Sequence, residues 1–454
     1  MESKTDRRIY TLSQEKPLKA VLKMSIPLIA GMFIMVLYNL VDTYFIGLTG
    51  DDYQLAAVNL AYPVMMVSVA ISNMIGAGAS SYIARCLGAG DREEAEHTLA
   101  SAFTLTLVNS LLVMTFGLVF LPRLVTVLGA KENTFLYTGQ YVRLLLLGSF
   151  FTMGSYTVGA LLRSEGSVRY SMTGMLVGTL LNIVLDPLFI FRLNMQIRGA
   201  AIATVLGNVG GFAVSLLYYL RGKTVLRLSL LKALPSSKIL REIYWVGVPA
   251  SLETLLTTVA YTVNNNLAVA YGELVVAGMG IAQKVLSLGS YVYQGFASGT
   301  QPIMGYNYGA GNTRRMKEVL KAGVISVTAV ETVLMLLYGL LAPALIGIFT
   351  ESAEVIAVGA KALRRLMLIL PFVGTVSMSR MSFQAMGKPL YAFAITIMRQ
   401  LVLYIPLLLL LNRLFGFDGM LFAQPVTEAV MMFVSVSLLL RVISRTPAEP
   451  PRKN

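Results

Sequence analysis

The chain has 454 residues, of which 56% are hydrophobic and only 13% charged, a balance that excludes an ordinary soluble protein of this length. Its formal charge of +14 does not point to nucleic acid, because the basic residues are scattered between apolar stretches, where orientation in a bilayer accounts for them. The single cysteine, Cys86, excludes an internal disulfide and leaves the redox compartment open.

Apolar stretches of about 20 residues, the length a helix needs to cross a hydrocarbon core, recur from end to end. They predict an all-α polytopic membrane protein with twelve transmembrane helices, over 24–48, 56–84, 99–121, 135–162, 170–191, 200–220, 243–271, 277–306, 322–349, 354–379, 391–412 and 419–441. The first stretch contains Pro27 and Asp42, and no small-residue cleavage site follows a short apolar core, so it reads as a retained span. The connections are short except 221–242, which carries Arg221, Lys223, Arg227, Lys232, Lys238 and Arg241. This basic linker divides the chain into an N-lobe, 1–220, and a C-lobe, 243–442, with six spans each. The N-terminal stretch 1–19 and the tail 443–454 are polar and expected to be mobile. Most of the 37 Lys and Arg residues fall in segments that lie inside when the N-terminus is inside. That bias predicts a multi-pass protein of the cell membrane with both termini in the cytoplasm.

The two halves repeat each other. Pro27 matches Pro249 and Gly50 matches Gly272 at an offset of 222 residues. At 221, Leu87-Gly88-Ala89-Gly90 matches Tyr308-Gly309-Ala310-Gly311, Gly166 matches Gly387, and Tyr170 matches Tyr391. At 220, Gly199 matches Gly419 and Ala203 matches Ala423. Six spans per copy is an even number, so the copies share an orientation and form two pseudo-symmetric lobes about an axis along the membrane normal.

Within this repeat two aspartates lack counterparts. Asp42 matches Asn264 and Asp186 matches Leu407, while Asn182 matches Leu403 and Thr204 matches Gln424. A carboxylate at membrane depth is expensive, and such residues face a bundle interior or a wet cavity and mark ion or substrate pathways. Asn39 and Asp42 are three residues apart, Tyr38 and Asp42 four, so all three share one face of the first span. Asn182 and Asp186 stack in the same way in the fifth span, and Thr204 and Asn208 in the sixth. Pro187 has no N–H and frees the carbonyl of Ile183 one turn earlier. Converged, these groups offer oxygen ligands to Na⁺, or a carboxylate whose affinity for H⁺ is raised by burial. Pro27, in the Asp42 helix, is a candidate hinge linking ion binding to bending.

The second half offers other polar candidates. Glu253, Glu331 and Glu428 lie in spans, Glu253 near the inner end of the seventh and Glu428 deeper, where it is the best second-half acid for a cationic substrate. Asn264, Gln283 and neighbouring Asn, Gln and Tyr residues make the seventh and eighth spans polar. A cavity lining fits them, as does interhelical hydrogen bonding. The 24 Met and 22 Tyr residues suit a pliable aromatic-binding site as well as ordinary membrane packing. His97, the only histidine, follows Arg92-Glu93-Glu94-Ala95-Glu96 at a helix start and reads as solvated or capping. The sequence has no GxxxxGK[ST] phosphate-binding pattern and no Cys/His cluster, so it suggests no ATP use, no enzyme and no organic cofactor.

Several of these motifs occur together in one family. Pro27 with Tyr38-Asn39-Leu40-Val41-Asp42-Thr43, Leu87-Gly88-Ala89-Gly90-Asp91, Arg163-Ser164-Glu165-Gly166, Asn182 with Asp186-Pro187, Gly199-Ala200-Ala201 with Thr204, and Gln301-Pro302 with Tyr308-Gly309-Ala310-Gly311 follow one another in order. In this the chain resembles the multidrug and toxic compound extrusion (MATE) transporters over nearly its whole length, and among them the bacterial MepA-type exporters. The resemblance implies a V-shaped pair of six-helix lobes and export of lipophilic organic cations and drugs against inward H⁺ or Na⁺; a monomer suffices mechanically for such transport, so a functional monomer is expected. It also implies that Asp42, Asn182, Asp186 and Thr204 are the N-lobe cation site. One departure is that Thr257-Thr258 stands where the NorM-type branch is expected to carry a glutamate of the seventh span deeper than Glu253. Two other readings stand beside the exporter: a lipid-linked saccharide flippase of related two-lobe architecture, which calls for a more cationic cavity, and a non-transporting membrane enzyme or scaffold.

Overall fold

The computed structural model describes the backbone of residues 2–48, 51–222, 224–229 and 232–445, and the side chains of these except 2–6, 36–44, 46, 47, 52, 254 and 255. The described chain is helical, with no strand. In order the helices are α1 (Glu2–Ser13), α2 (Pro17–Gly47), α3 (Asp52–Gly88), α4 (Arg92–Val119), α5 (Leu121–Val127), α6 (Glu132–Leu147), α7 (Ser149–Ser164) and α8 (Val168–Pro187). Then come α9 (Gln196–Leu220), α10 (Ser237–Val269), α11 (Glu273–Gly309), α12 (Thr313–Gly347), α13 (Ala353–Leu366), α14 (Leu370–Ala385), α15 (Pro389–Ile397) and α16 (Ile405–Ser444). A 3-10 turn, Met367–Ile369, joins α13 to α14, and π-helical segments Leu188–Arg192 and Met398–Tyr404 continue α8 and α15.

All twelve expected spans fall on these helices. Eight helical runs among the described residues are long and apolar enough to cross a membrane, and the pair α6–α7, bent by 52°, makes a ninth. The run Pro389–Ser444 counts once in that tally but holds two expected spans. They are separated at Gly416, whose φ of 59° and ψ of −141° break the helix. α10 and the broken pair α13–α14 hold the other two.

The repeat is visible in how its corners are built. Gly90 (φ 76°) and Gly311 (φ 69°) end α3 and α11 in the left-handed region, where only glycine is at ease. The N–H of Asp91 then bonds Cys86 O at 2.9 Å and that of Asn312 bonds Asn307 O at 2.9 Å. The side chains of the same two residues cap the next helices, Asp91 accepting from Glu94 N at 3.1 Å and Asn312 from Arg315 N at 3.0 Å. One five-residue pattern thus closes one helix and opens the next in both copies.

Contacts divide the chain into two units, Met1–Thr11 with Ala30–Gly247 and Leu12–Ile29 with Val248–Asn454. Pro27 lies within α2 and Pro249 within α10, and each helix changes unit within three residues of its proline. In the N-unit, Ala57, Ala61, Tyr141, Val142, Ile197 and Ala200 pack together where α3, α6 and α9 meet. In the C-unit, Met279, Ala282, Leu363, Leu370, Leu408 and Met420 do the same for α11, α13, α14 and α16.

The N-terminal stretch, expected to be mobile, is docked, and so is the basic linker. The N-terminal stretch forms α1, and the carbonyl of buried Leu12 accepts from Asn307 Nδ2 at 2.9 Å and Arg315 Nε at 3.3 Å. These donors satisfy a helix-end carbonyl that would otherwise lack a partner, which is why a polar segment is held. The basic linker lies along the start of α4. Arg92 Nη2 donates to Val225 O at 2.5 Å, Glu96 accepts from Arg227 N at 3.1 Å, and Lys232 pairs with Glu93 at 3.1 Å. His97 Nε2 sits 2.8 Å from Leu234 O, so it binds the linker rather than capping a helix. Glu165, fully buried, accepts from Val225 N at 3.1 Å and Leu226 N at 3.2 Å. Its burial pushes the carboxyl up to about 7, against the opposing pull of those hydrogen bonds.

Candidate functional site

Small residues bring the central polar groups of the N-unit together. Gly174 and Gly178 on α8 face Gly207 and Gly211 on α9. A Cβ on Gly178 would lie 2.9 Å from Gly207 O, one on Gly207 2.7 Å from Gly178 O, and one on Gly211 2.9 Å from Gly174 O. Lipid supplies no hydrophobic force between helices, so such backbone-to-backbone contact is how a membrane pair gains packing. One turn beyond Gly178, this contact puts Asn182 against Thr204. The amide orientation that satisfies its surroundings has Asn182 Nδ2 donating to Asp186 Oδ2 at 2.9 Å and Oδ1 accepting from Thr204 N at 2.9 Å. The hydroxyl of Thr204 lies 3.3 Å from the same end of the amide. Asp186 and Asn182 are 0% and 3% exposed, so the carboxylate is held away from solvent.

Asn182, Asp186 and Thr204 therefore converge; their spacing puts Asn182 and Asp186 on one face, and the packing of α8 on α9 brings Thr204 to them. In this orientation Asn182 is a donor to the carboxylate rather than an oxygen ligand, and its oxygen is occupied by the Thr204 N–H. Pro187 ends α8, and the chain continues as a π turn in which Leu193 N reaches Leu188 O at 3.0 Å. The missing proline N–H thus loosens the helix beside Asp186. Asn208 is turned elsewhere and donates to Thr152 Oγ1 on α7 at 3.1 Å. Tyr38, Asn39 and Asp42 lie on α2, but their side chains are outside the described residues.

Two of the acidic candidates of the C-unit, Glu428 and Glu253, are paired with arginines. Arg399, on the π segment, donates to Glu428 Oε1 on α16 through Nε at 2.6 Å and Nη2 at 2.5 Å. Arg380 on α14 pairs through Nη1 with Glu253 Oε2 on α10. Glu428 is 1% exposed. Tyr293 on α11 packs against α14, where a Cβ on Gly374 would stand 3.3 Å from Tyr293 Cβ. Gln400 Nε2 donates to Thr257 Oγ1 at 3.4 Å. Glu331 on α12 is fully buried, and a Cβ on Gly289 would stand 3.4 Å from its Oε2, so the glycine makes room for it. Asn264 is buried, and Gln283 Oε1 has no partner among the described residues. The two ion pairs are what sequence reasoning missed. Their signals in the sequence are Arg399, Glu253 and Glu428 in otherwise apolar spans, and the pairing follows only from the fold.

Comparison with known proteins agrees with this architecture. The MatE family model matches residues 27–188 and 249–410, one stretch in each repeat. The chain is 27% identical over 434 residues to the multidrug export protein MepA of Staphylococcus aureus, covering 96% of each chain. An outward-facing multidrug resistance MATE family transporter of the MOP superfamily superposes with a TM-score of 0.90 at 30% identity, over 95% of this chain and 97% of that one. Structures of a MATE protein in straight and in bent conformations each match with a TM-score of 0.90 at 29% identity, over 96% of this chain and 98% of theirs. With both halves of the repeat matched by one model and nearly the whole chain superposed on solved members, the protein belongs to the MatE family.

Proposed function

We propose that the protein is a secondary-active exporter of lipophilic organic cations and drugs, driven by inward movement of H⁺ or Na⁺. The carrying observation is the buried Asp186, held by Asn182 against Thr204 in the gap left by Gly178 and Gly207. A carboxylate kept in a span at such cost is a functional group by default. Asp42, on α2, completes the coupling site of this reading, with Pro27 as the hinge through which its occupancy alters the helix. That MepA, a relative over 96% of the chain, is a multidrug export protein supports the cargo, and the existence of straight and bent forms of a MATE protein supports the hinge.

Protonation of Asp186 needs no rearrangement of Asn182. Na⁺ would take Asp42, Asp186 and the Thr204 hydroxyl, and would require the Asn182 amide to turn so that its oxygen faces the ion. Ion and substrate each shift the equilibrium between inward- and outward-facing states only by their difference in affinity for the two. The protein sits in the cell membrane with both termini in the cytoplasm and works as a monomer. The energy source is the ion gradient, and no organic cofactor or chemical turnover is needed. The flippase reading is disfavoured because Arg380 and Arg399 are neutralised by glutamates and offer a pyrophosphate no net charge.

The test is efflux of a fluorescent lipophilic cation from proteoliposomes, with Na⁺ and pH gradients imposed separately. Transport driven by one gradient and lost in Asp42→Asn and Asp186→Asn is the expected result. Normal, fully ion-dependent export by both variants would remove the coupling assignment.

A further inference from the structure

The turn between the π segment Leu188–Arg192 and α9 is the one place among the described residues where backbone other than glycine is left-handed. Asn194 and Gln196 each have a φ of 51°. Side chains are strained there, glutamine more than asparagine. The repeat shows that the path of the chain demands this conformation in both copies. At the offset of 220, Gln196 matches Gly416, which takes a φ of 59°. The C-unit meets the demand with a glycine, whereas the N-unit keeps a glutamine and bears the strain.

What the glutamine gains is a partner on another helix. Gln54 on α3, 2% exposed, donates through Nε2 to Gln196 Oε1 at 3.1 Å and to Asp51 Oδ2 at 3.2 Å. Its Oε1 accepts from Ile197 N at 3.0 Å. That N–H belongs to the first turn of α9, which no helix satisfies internally, and Met195 at the N-cap position gives no side-chain bond. Gln54 therefore caps α9 from outside and holds the strained residue that starts it, with both ends of its buried amide engaged. Val275 stands in its place at the offset of 221, so this lock belongs to the N-unit alone.

A run of direct contacts leads from the lock to Asp186. Gly199, three residues after Gln196, lies on the π segment, where a Cβ would stand 2.7 Å from Phe189 C and 2.9 Å from Phe189 O. Met195 N bonds Phe189 O at 3.0 Å. Ile190 and Ile197 share a core with Ala57 and Ala61, one and two turns along α3 from Gln54. The π segment follows Asp186-Pro187 directly, and Pro187 has no N–H with which to anchor it to the preceding turn. Its seat on the start of α9 is then what fixes it.

We propose that Gln54 and Gln196 are positioning residues for the coupling site, fixing the start of α9 and the π segment so that Asp186 and Thr204 keep their geometry. The inference rests on the exporter reading and adds to it a device outside the ion's own ligands. It also accounts for the retained glutamine, because strained backbone persists where surrounding contacts over-determine it and gathers near functional groups.

Efflux of ethidium, a fluorescent lipophilic cation, from proteoliposomes holding the full-length protein is measured with external pH and external Na⁺ titrated separately. Gln196→Gly removes the acceptor of the lock and relieves the left-handed strain together, so the two effects oppose each other and thermal unfolding should stay near the wild-type temperature. Gln54→Leu keeps the bulk but strands Ile197 N, and should unfold lower. Both should raise the concentration of the driving ion needed for half-maximal efflux by about threefold or more, the effect of losing one neutral hydrogen bond, with the KM for ethidium unchanged. A half-maximal ion concentration equal to wild type in Gln196→Gly, or ion and ethidium constants that move together, would make the lock a plain structural staple and overturn the inference while leaving the exporter reading intact. A wild type that neither gradient drives removes both. Should Gln54→Leu fail to fold, Gln196→Gly decides alone.

Discussion

The helix pair α8–α9 and its repeat, α15 with the following π segment and α16, occupy equivalent places in the two units and solve the same packing problem differently. In the N-unit, Gly178 and Gly207 let two backbones touch, and the gain is van der Waals packing that delivers Asn182 to Thr204. At the offsets of the repeat, Gly178 becomes Arg399, Gly207 becomes Thr427 and Asn208 becomes Glu428. Side chains now fill the space, an ion pair replaces backbone contact, and Arg399 lies on a π segment. The lesson is that a duplicated membrane bundle keeps its corners and its path while each copy spends its interior on different chemistry.

The sharpest way to break this comparison is to unpair the C-unit. Glu428→Gln leaves Arg399 buried without its counter-charge, at an expected cost of about 3–5 kcal/mol. Adding Arg399→Met should recover most of it, and a double-mutant cycle on detergent-phase thermal unfolding reads the coupling. A single variant as stable as wild type would mean that the pair is open to water.

Next in size is the glycine contact. Gly207→Ala places a Cβ 2.7 Å from Gly178 O and 3.0 Å from Asn182 Cβ, and backbone cannot yield cheaply. The overpacking should cost about 1–3 kcal/mol and weaken ion-dependent transport. The C-unit counterpart Thr427→Ala removes one hydrogen bond to Ala423 O and should cost about 1 kcal/mol without touching ion dependence. Equal effects of the two in thermal unfolding and flux would erase the distinction drawn between the copies.

The smallest expected effect lies in the turn after α7, where Glu165 corresponds to Met386. Burial raises the Glu165 carboxyl to about 7 in the folded protein. A folded value above the unfolded one means that its contribution to linker docking is complete below the ordinary carboxylate range and is lost as pH rises through about 7. Limited proteolysis within the linker should therefore speed up between pH 5 and pH 8 in the wild type, values taken to bracket that change of about 7. In Glu165→Gln it should stay flat. A wild-type linker cut at the same rate across that range would contradict the assignment.

Much of the fold is legible in the sequence. Apolar length and basic-residue bias suffice for spans, because a bilayer imposes about 20 residues per crossing and leaves no room for unpaired backbone. Spacing alone puts Asn182 and Asp186 on one helical face, but their meeting with Thr204 depends on how α8 packs against α9. The occupied amide oxygen of Asn182, the turning of Asn208 toward Thr152 and the docking of α1 are not legible there, since each depends on what a neighbouring helix presents.

Sequence by itself determined that the chain crosses a membrane in twelve helices, that it is a duplication, and that the acidic pair belongs to one copy, because those properties are written in composition, period and offset. Only the tertiary structure decided which charges neutralise each other. Arg399 and Glu428 lie 29 residues apart, across a π turn and the break at Gly416. Local periodicity carries no information across such interruptions. Pairing there is set by where two helices cross, and that is a property of the packed unit.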